Sequence, residues 1–339
     1  MGGSAEMRPP FCWLVALVLT ALVSGCAAAQ GEDEPGVLVR RGLAHHQERR
    51  FEQAISWYRK AVEADRLWGE PHRLIGNALI AQGKLDEALA EYRAAVRKSP
   101  DNGEAWNDLG AALGRKRLFE EAEEALRNAA RLLPRHAAPV YNQAKLLYQQ
   151  ERVKDAIEAL RAALRIDSKY APAHHALAVA YGRLRDWPEA NRSAERAVEI
   201  DASRPEYLMS AAWSCYQVGF LERAEAHARK AGALVPKSGQ PRFLLGLIAL
   251  ARGRGTDALE AYEAGIALAT PGERGAAIGE LRREMVTESL APEAHFVLGL
   301  LLESDGKVSQ AAEEFDRYVT KAPNGRLATR AREKAARNP

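Results

Sequence analysis

The sequence predicts an all-α chain, an α-solenoid of about eight helix-turn-helix repeats with one extra helix and a C-terminal capping helix. Two amphipathic stripes in one short stretch, their recurrence at a fixed spacing, and prolines at the ends of the repeats support this prediction. Within residues Glu104 to Pro134, Trp106, Leu109, Gly110 and Leu113 fall at i, i+3, i+4 and i+7, one stripe of a 3.6-residue helix. Phe119, Ala122, Leu126 and Ala129 form a second stripe, with Glu120, Glu121, Glu124 and Arg127 on the opposite face. Residues Arg115 to Arg117 leave room only for a tight turn. The two helices must therefore lie antiparallel, and Gly110, Ala122 and Ala129 are small where their axes approach. A single hairpin of this kind has no core of its own and needs neighbours stacked against both sides.

Those neighbours recur every 34 residues: Gly42/Ala54/Ala61, Gly76/Ala88/Ala95, Gly110/Ala122/Ala129, Ala144/Ala156/Ala163, Ala178/Ala190/Ala197, Ala212/Ala224/Ala231 and Gly246/Ala258/Gly265. Tyr58, Tyr92, Leu126, Leu160 and Tyr262 recur at one larger core position. Pro100, Pro134 and Pro236 follow second helices, where a ring without an N–H stops the helix and opens the next loop.

The pattern W-x2-L-G-x2-L, then F-x2-A-x3-L-x2-A and a closing Pro, resembles the tetratricopeptide repeat (TPR), over roughly residues 35 to 323. The resemblance implies a right-handed superhelix with an inner groove. Seven contiguous repeats occupy 35–272, and an eighth occupies 292–325, where Leu298, Gly299, Leu302, Val308, Ala311, Phe315 and Pro323 rejoin the frame.

The chain opens with an apolar run, Phe11 to Val23, too short to span a bilayer and suited to the core of a signal peptide over 1–25. Val23-Ser24-Gly25-Cys26 resembles the lipobox of bacterial lipoproteins, which implies acylation of Cys26; Ala27-Ala28-Ala29 offers an ordinary cleavage site instead, and an uncleaved anchor is the third reading. Residues 26–34 then form the lipidated terminus and a short acidic tether. With Ala27 rather than Asp after the cysteine, the resemblance to lipoproteins implies the periplasmic face of an outer membrane, the alternative being a soluble periplasmic or secreted protein. Of three cysteines, Cys12 leaves with the signal and Cys215 lies alone in an apolar stripe, so no disulfide is expected.

Residues 273–291 belong to no repeat yet have a helical pattern, Ile278, Leu281 and Met285 inward and Arg282, Arg283 and Glu284 outward. The segment reads as a decayed repeat or as a partner-docking helix. First helices in a repeat stack share one direction, so one added helix inverts the next repeat or forces a crossover. A break or kink is expected between Thr270 and Pro292. Residues 326–339 read as a basic capping helix that lays Leu327 and Ala331 on the last repeat, with a patch for acidic headgroups or cell-wall polymer as the alternative.

The formal net charge of +3 and the absence of a basic stripe with interleaved aromatics give no support for a nucleic-acid groove. No catalytic motif is present, and no enzyme activity, metal, cofactor or small-molecule substrate is expected. His45-His46 and His174-His175 are sequence neighbours on a helix and point to different sides. The resemblance assigns the inner groove to Arg73, Asn77, Asn107, Tyr141, Lys145, Tyr148 and Gln149, then His175, Arg183, Met209, Trp213, Tyr216, Gln217 and Phe243. Arg73 and Asn77 match part of the carboxylate clamp of chaperone-binding TPR domains. The clamp is broken by Asp108, Ala138 and Asn142. The aromatic set around Trp213 has the character of an interface anchor. The expected function is a non-enzymatic envelope scaffold that binds a peptide or helix of a partner protein, in envelope or secretion/pilus-type assembly. The alternative is a cell-wall glycan enzyme or its regulatory subunit.

Overall fold

The computed structural model describes residues 34–287 and 290–337. The signal segment, Cys26 and most of the tether lie outside the described residues, as do 288–289 of the insert. Among the described residues there are eighteen α-helices and no strand, the all-α solenoid that the sequence predicts. The chain forms two compact units, one ending at Leu146 and one beginning at Leu147.

The first unit holds α1 (Pro35–Gln47), α2 (Phe51–Ala64), α3 (Glu70–Ala81), α4 (Leu85–Lys98), α5 (Gly103–Arg115) and α6 (Phe119–Leu132), and it ends within α7 (Ala137–Gln149). The second holds α8 (Val153–Ile166), α9 (Ala171–Arg183), α10 (Trp187–Ile200), α11 (Pro205–Gln217), α12 (Leu221–Leu234), α13 (Gln240–Ala251), α14 (Gly255–Leu268), α15 (Pro271–Thr287), α16 (Glu293–Ser304), α17 (Val308–Lys321) and α18 (Ala328–Arg337).

A single residue makes each hairpin turn. Arg49, Gly83, Arg117, Glu151, Arg185, Gly219 and Gly253, spaced 34 apart, all have φ between 59° and 83°. The left-handed residue reverses the chain between the two helices at the cost of strain wherever it carries a side chain. Gly306 repeats the device in the α16–α17 turn, with φ 78°.

Packing inside the hairpins is a matter of matched sizes. A Cβ on Gly76 would lie 2.5 Å from the Tyr92 ring, one on Gly246 2.5 Å from Tyr262, and one on Gly299 2.6 Å from Phe315. Where the first helix carries Ala178 or Ala212 instead, the second supplies Ala194 or Ala228, and all four are buried. Glycine stands where the facing helix brings a ring, and where that helix brings alanine the first helix keeps its own Cβ.

The inserted segment changes the direction of the stack. Ser238 Oγ donates to Glu273 at 2.5 Å, a pairing 35 residues apart like those that link successive first helices at Arg73–Asp108 and His175–Ser210. At its other end, Glu284 accepts from Tyr216 Oη and Gln217 Nε2, both at 3.2 Å. α15 therefore runs in the sense of the first helices α11 and α13. In the regular steps, the end of a first helix meets the start of the preceding second helix, through Lys116–Asp86, Arg183–Glu151 and Arg252–Glu222. At the last step the start of α16 takes that place: a Cβ on Gly255 would meet the Glu293 side chain at 2.7 Å. α16 thus runs opposite to α13, and the α16–α17 hairpin is inverted. The regular order does break here, by inversion rather than by a crossover. Glu284, expected to face outward, is buried instead, because Ala277, Leu281 and Glu284 share the inward stripe of α15.

α18 closes the second unit with Leu327 and Ala331 buried. Arg330 pairs with Glu263 at 2.6 Å and Lys334 with Glu303 at 2.5 Å, and Arg326, just before the helix, donates to Thr256. Arg330 also stacks over Phe296, 5.3 Å from the ring centre.

Candidate functional site

The residues assigned to the inner groove lie on first helices, and the two units treat them differently. In the first unit, Arg73 is held by Glu70 at 2.5 Å and by Glu104 and Asp108 at 3.0 Å each. It is therefore not free to hold a peptide carboxylate, and its acidic neighbours would repel one. Burial raises the Asp108 carboxyl above its ordinary value, although Arg73 opposes that shift. Asn77 accepts from Tyr92 Oη at 2.6 Å, and Asn107 accepts from Asn142 at 2.9 Å. Lys145 sits over the Tyr141 ring, 5.6 Å from its centre, and its ammonium is lowered by desolvation and by Arg115. The structure brings Arg73 and Asn107 together through Asp108, which accepts from both. The result is a satisfied polar network rather than an open clamp.

In the second unit, His175 pairs with Ser210 at 2.9 Å and lies 4.8 Å from the Tyr207 ring; burial lowers its imidazole below the usual value. Tyr148 is half-buried at the end of α7. Trp213 and Tyr216 stack with centroids 5.6 Å apart. Two of the expected anchors are covered. Tyr216 is 5% exposed and donates to Glu284 of α15, while Phe243 is 4% exposed and packs on Tyr262 at 5.8 Å. Gln217 is likewise tied to Glu284. α15 covers Tyr216 and Gln217 through Glu284, whereas Phe243 is covered by α14 of its own hairpin, where it packs against Tyr262 and Gly265.

What remains accessible is a cavity of about 420 Å³ between α9, the start of α10, α11, α13 and α15. Val179, Trp187, Met209 and Trp213 form its apolar lining, and Glu273 and Glu280 of α15 contribute its acids. Met209 and Trp213 are half-buried, and Val179 is 41% exposed. Glu273 is engaged by Ser238 and by Thr270 at the start of α15. Glu280 makes no hydrogen bond or close ion pair among the described residues, and burial raises its carboxyl above the ordinary range. Sequence reasoning missed Glu280 because the insert has no repeat frame to place it. Its spacing from Ala277 is the available signal.

A TPR repeat family profile matches residues 76–116 and 144–184, a second tetratricopeptide profile matches 212–273 and 243–326, and a third matches 35–66. The chain is a tetratricopeptide-repeat protein. No curated protein matches it significantly. Among solved structures, this TPR chain is similar to Pseudomonas aeruginosa PilF, with TM-score 0.53 and 20% identity over 62% of this chain and 95% of that one. It is also similar to PilW, described as a widely conserved type IV pilus biogenesis factor, with TM-score 0.51 and 18% identity over 57% and 90%. A human IFIT1 dimer with PPP-AAAA gives TM-score 0.57 and 21% identity over 86% and 73%. At these identities the likeness is one of fold.

Proposed function

We propose that this TPR protein is a non-enzymatic scaffold that holds a segment of a partner protein against the first-helix face of its second unit. The observation that carries the reading is the cavity beside α15, where Met209, Trp213 and Val179 stay accessible next to the Glu280 carboxyl, which burial raises. Large apolar side chains left open in a concave site, with one polar group to orient a ligand, are the usual makings of a recognition pocket. The acids on this cavity, Glu273 and Glu280, do not favour the phosphates of a nucleic acid there. The glycan-enzyme alternative needs two carboxylates across a cleft. Of the two acids on this cavity, Glu273 is committed to Ser238 and Thr270.

The placement is an exported lipoprotein anchored through Cys26, with a role in envelope or pilus-type assembly. The signal pattern of the sequence supports export, and the fold shared with PilF and PilW is compatible with assembly work. A photocrosslinking residue at Val179 should capture a discrete partner in cells, and Trp213→Ala should abolish that adduct with the far-UV circular dichroism unchanged. Equal capture from Val179 and from a control site on the opposite face, such as Arg192, counts against the reading. Cys26→Ala should move the protein from the membrane to the soluble fraction; unchanged fractionation removes the lipid anchor.

A further inference from the structure

The repeat gives a reference residue for every position, and three departures from it meet at one point. Glu195 occupies a place that is arginine in five other repeats, at Arg59, Arg93, Arg127, Arg161 and Arg229. Cys215 stands where the second and third repeats have Leu79 and Leu113, and His227 stands where neighbours have Ala159 and Ala261. One repeat earlier, the same two positions pair Arg161 with Tyr181 Oη at 2.7 Å, 20 residues apart. Here the pair is Cys215 Sγ donating to Glu195 Oε1 at 3.2 Å, also 20 residues apart, and His227 Nε2 reaches that same oxygen at 3.1 Å. A cation and a phenol have been replaced by a carboxylate and a thiol, with an imidazole added from the next helix.

The three ligand atoms lie within 4.8 Å of one another and come from three helices, α10, α11 and α12. We propose that Glu195, Cys215 and His227 form a three-ligand site for a zinc-class divalent cation. Thiolate, imidazole and carboxylate together are donors suited to zinc, and three protein ligands leave one position open. Bonds of about 2.0–2.3 Å place tetrahedral ligands roughly 3.3–3.8 Å apart, close to the separations already present. On binding, the S–H bond of Cys215 gives way to a sulfur–metal bond and its proton passes to solvent, while the imidazole proton moves from Nε2 to Nδ1. Asn191 Nδ2 lies 3.0 Å from Sγ and donates to the thiolate. The competitor is Arg223, 2.7 Å from Glu195 Oε1; its side chain is 55% exposed and free to swing outward. A cavity of about 800 Å³ lined by Glu195, Asn191 and Arg223 adjoins the cluster on the side of Glu195. The ion would join α10 of one hairpin to α11 and α12 of the next.

The test is titration of the metal-free full chain with Co²⁺, followed by Zn²⁺. One equivalent of Co²⁺ should produce a thiolate-to-cobalt charge-transfer band in the near ultraviolet, which Zn²⁺ bleaches. Cys215→Ala should abolish the band. Glu195→Gln and His227→Ala should each weaken binding at least tenfold, and Arg223→Ala should strengthen it. Alanine already fills the equivalent of Cys215 at Ala249 and of His227 at Ala159, so these variants should keep the wild-type circular dichroism. No thiolate band in the wild type overturns the proposal. So does a band that persists in Cys215→Ala, which would place the thiolate at Cys12 or Cys26, and so does wild-type affinity in both Glu195→Gln and His227→Ala.

Discussion

Gly76→Ala adds one methyl group where the hairpin has no room for it. Its Cβ would stand 2.5 Å from Tyr92 Cε1, 2.7 Å from Cδ1 and 2.9 Å from Cζ. The ring is buried, and its hydroxyl donates to Asn77 at 2.6 Å, so it cannot retreat without loosening that bond. Overpacking of this kind costs about 1–3 kcal/mol, and a strained hydrogen bond adds up to about 1 kcal/mol. Alanine returns about 1 kcal/mol over glycine in a helix. The net expectation is destabilisation centred near about 1.5 kcal/mol and at most about 3 kcal/mol, read as a lower urea midpoint. Two controls isolate the cause. Gly279→Ala in α15, where nothing lies within 4 Å, should stabilise by roughly 0.5–1 kcal/mol. In a Tyr92→Ala background, Gly76→Ala should lose its penalty, since the chain itself pairs alanine with alanine at Ala178/Ala194 and Ala212/Ala228. Wild-type stability in Gly76→Ala, or an equal penalty in both backgrounds, refutes the size-matching account.

Three further outcomes are expected from the same structure. Arg185→Gly should raise stability by about 0.5–1 kcal/mol, because φ is 59° at this turn, and Gly219→Ala, at φ 83°, should lower it by about 1 kcal/mol; both are measured by thermal or urea unfolding. Glu284→Ala removes the acceptor for Tyr216 and Gln217 and should reduce the opening free energy of α15 by about 1–3 kcal/mol, seen as faster amide exchange over 271–287; unchanged exchange removes its anchoring role. His175 has a folded pKa below the ordinary 6.5, so its neutral form is favoured in the folded state. Its contribution is complete above 6.5 and is lost as pH falls from there toward the lowered folded value. His175→Gln should therefore flatten the urea midpoint across that acidic window, and an unaltered pH profile would count against a role for this imidazole.

Much of the fold was legible because helical repeats are written in local periodicity. Leu109, Gly110, Ala122 and Leu126 announce their own contacts, and each copy confirms the others. The candidate site was less legible. Arg73 and Asn77 were placed on the right face by register, but register says nothing of Glu70, Glu104 and Asp108 converging on the same guanidinium. Tyr216 and Phe243 are open anchors in the frame, which has no account of α15 over Tyr216 or of Phe243 turning onto Tyr262 and Gly265 of its own hairpin. The site at Glu195 was visible only as a carboxylate, shared with Glu263, in a column otherwise of arginines, without any indication of what would meet it.

By itself the sequence determined the repeat length, the hairpins, the residues facing each core and the parity problem at the insert. These depend on spacings of a few residues and on side-chain size, which a linear pattern records. Only the tertiary structure decided that α15 lies along the first helices and covers Tyr216, that the last hairpin is inverted, and that Glu195, Cys215 and His227 meet. Those facts depend on how separate helices share space. Such contacts join residues tens of positions apart through packing and Coulomb attraction, and no local periodicity encodes them.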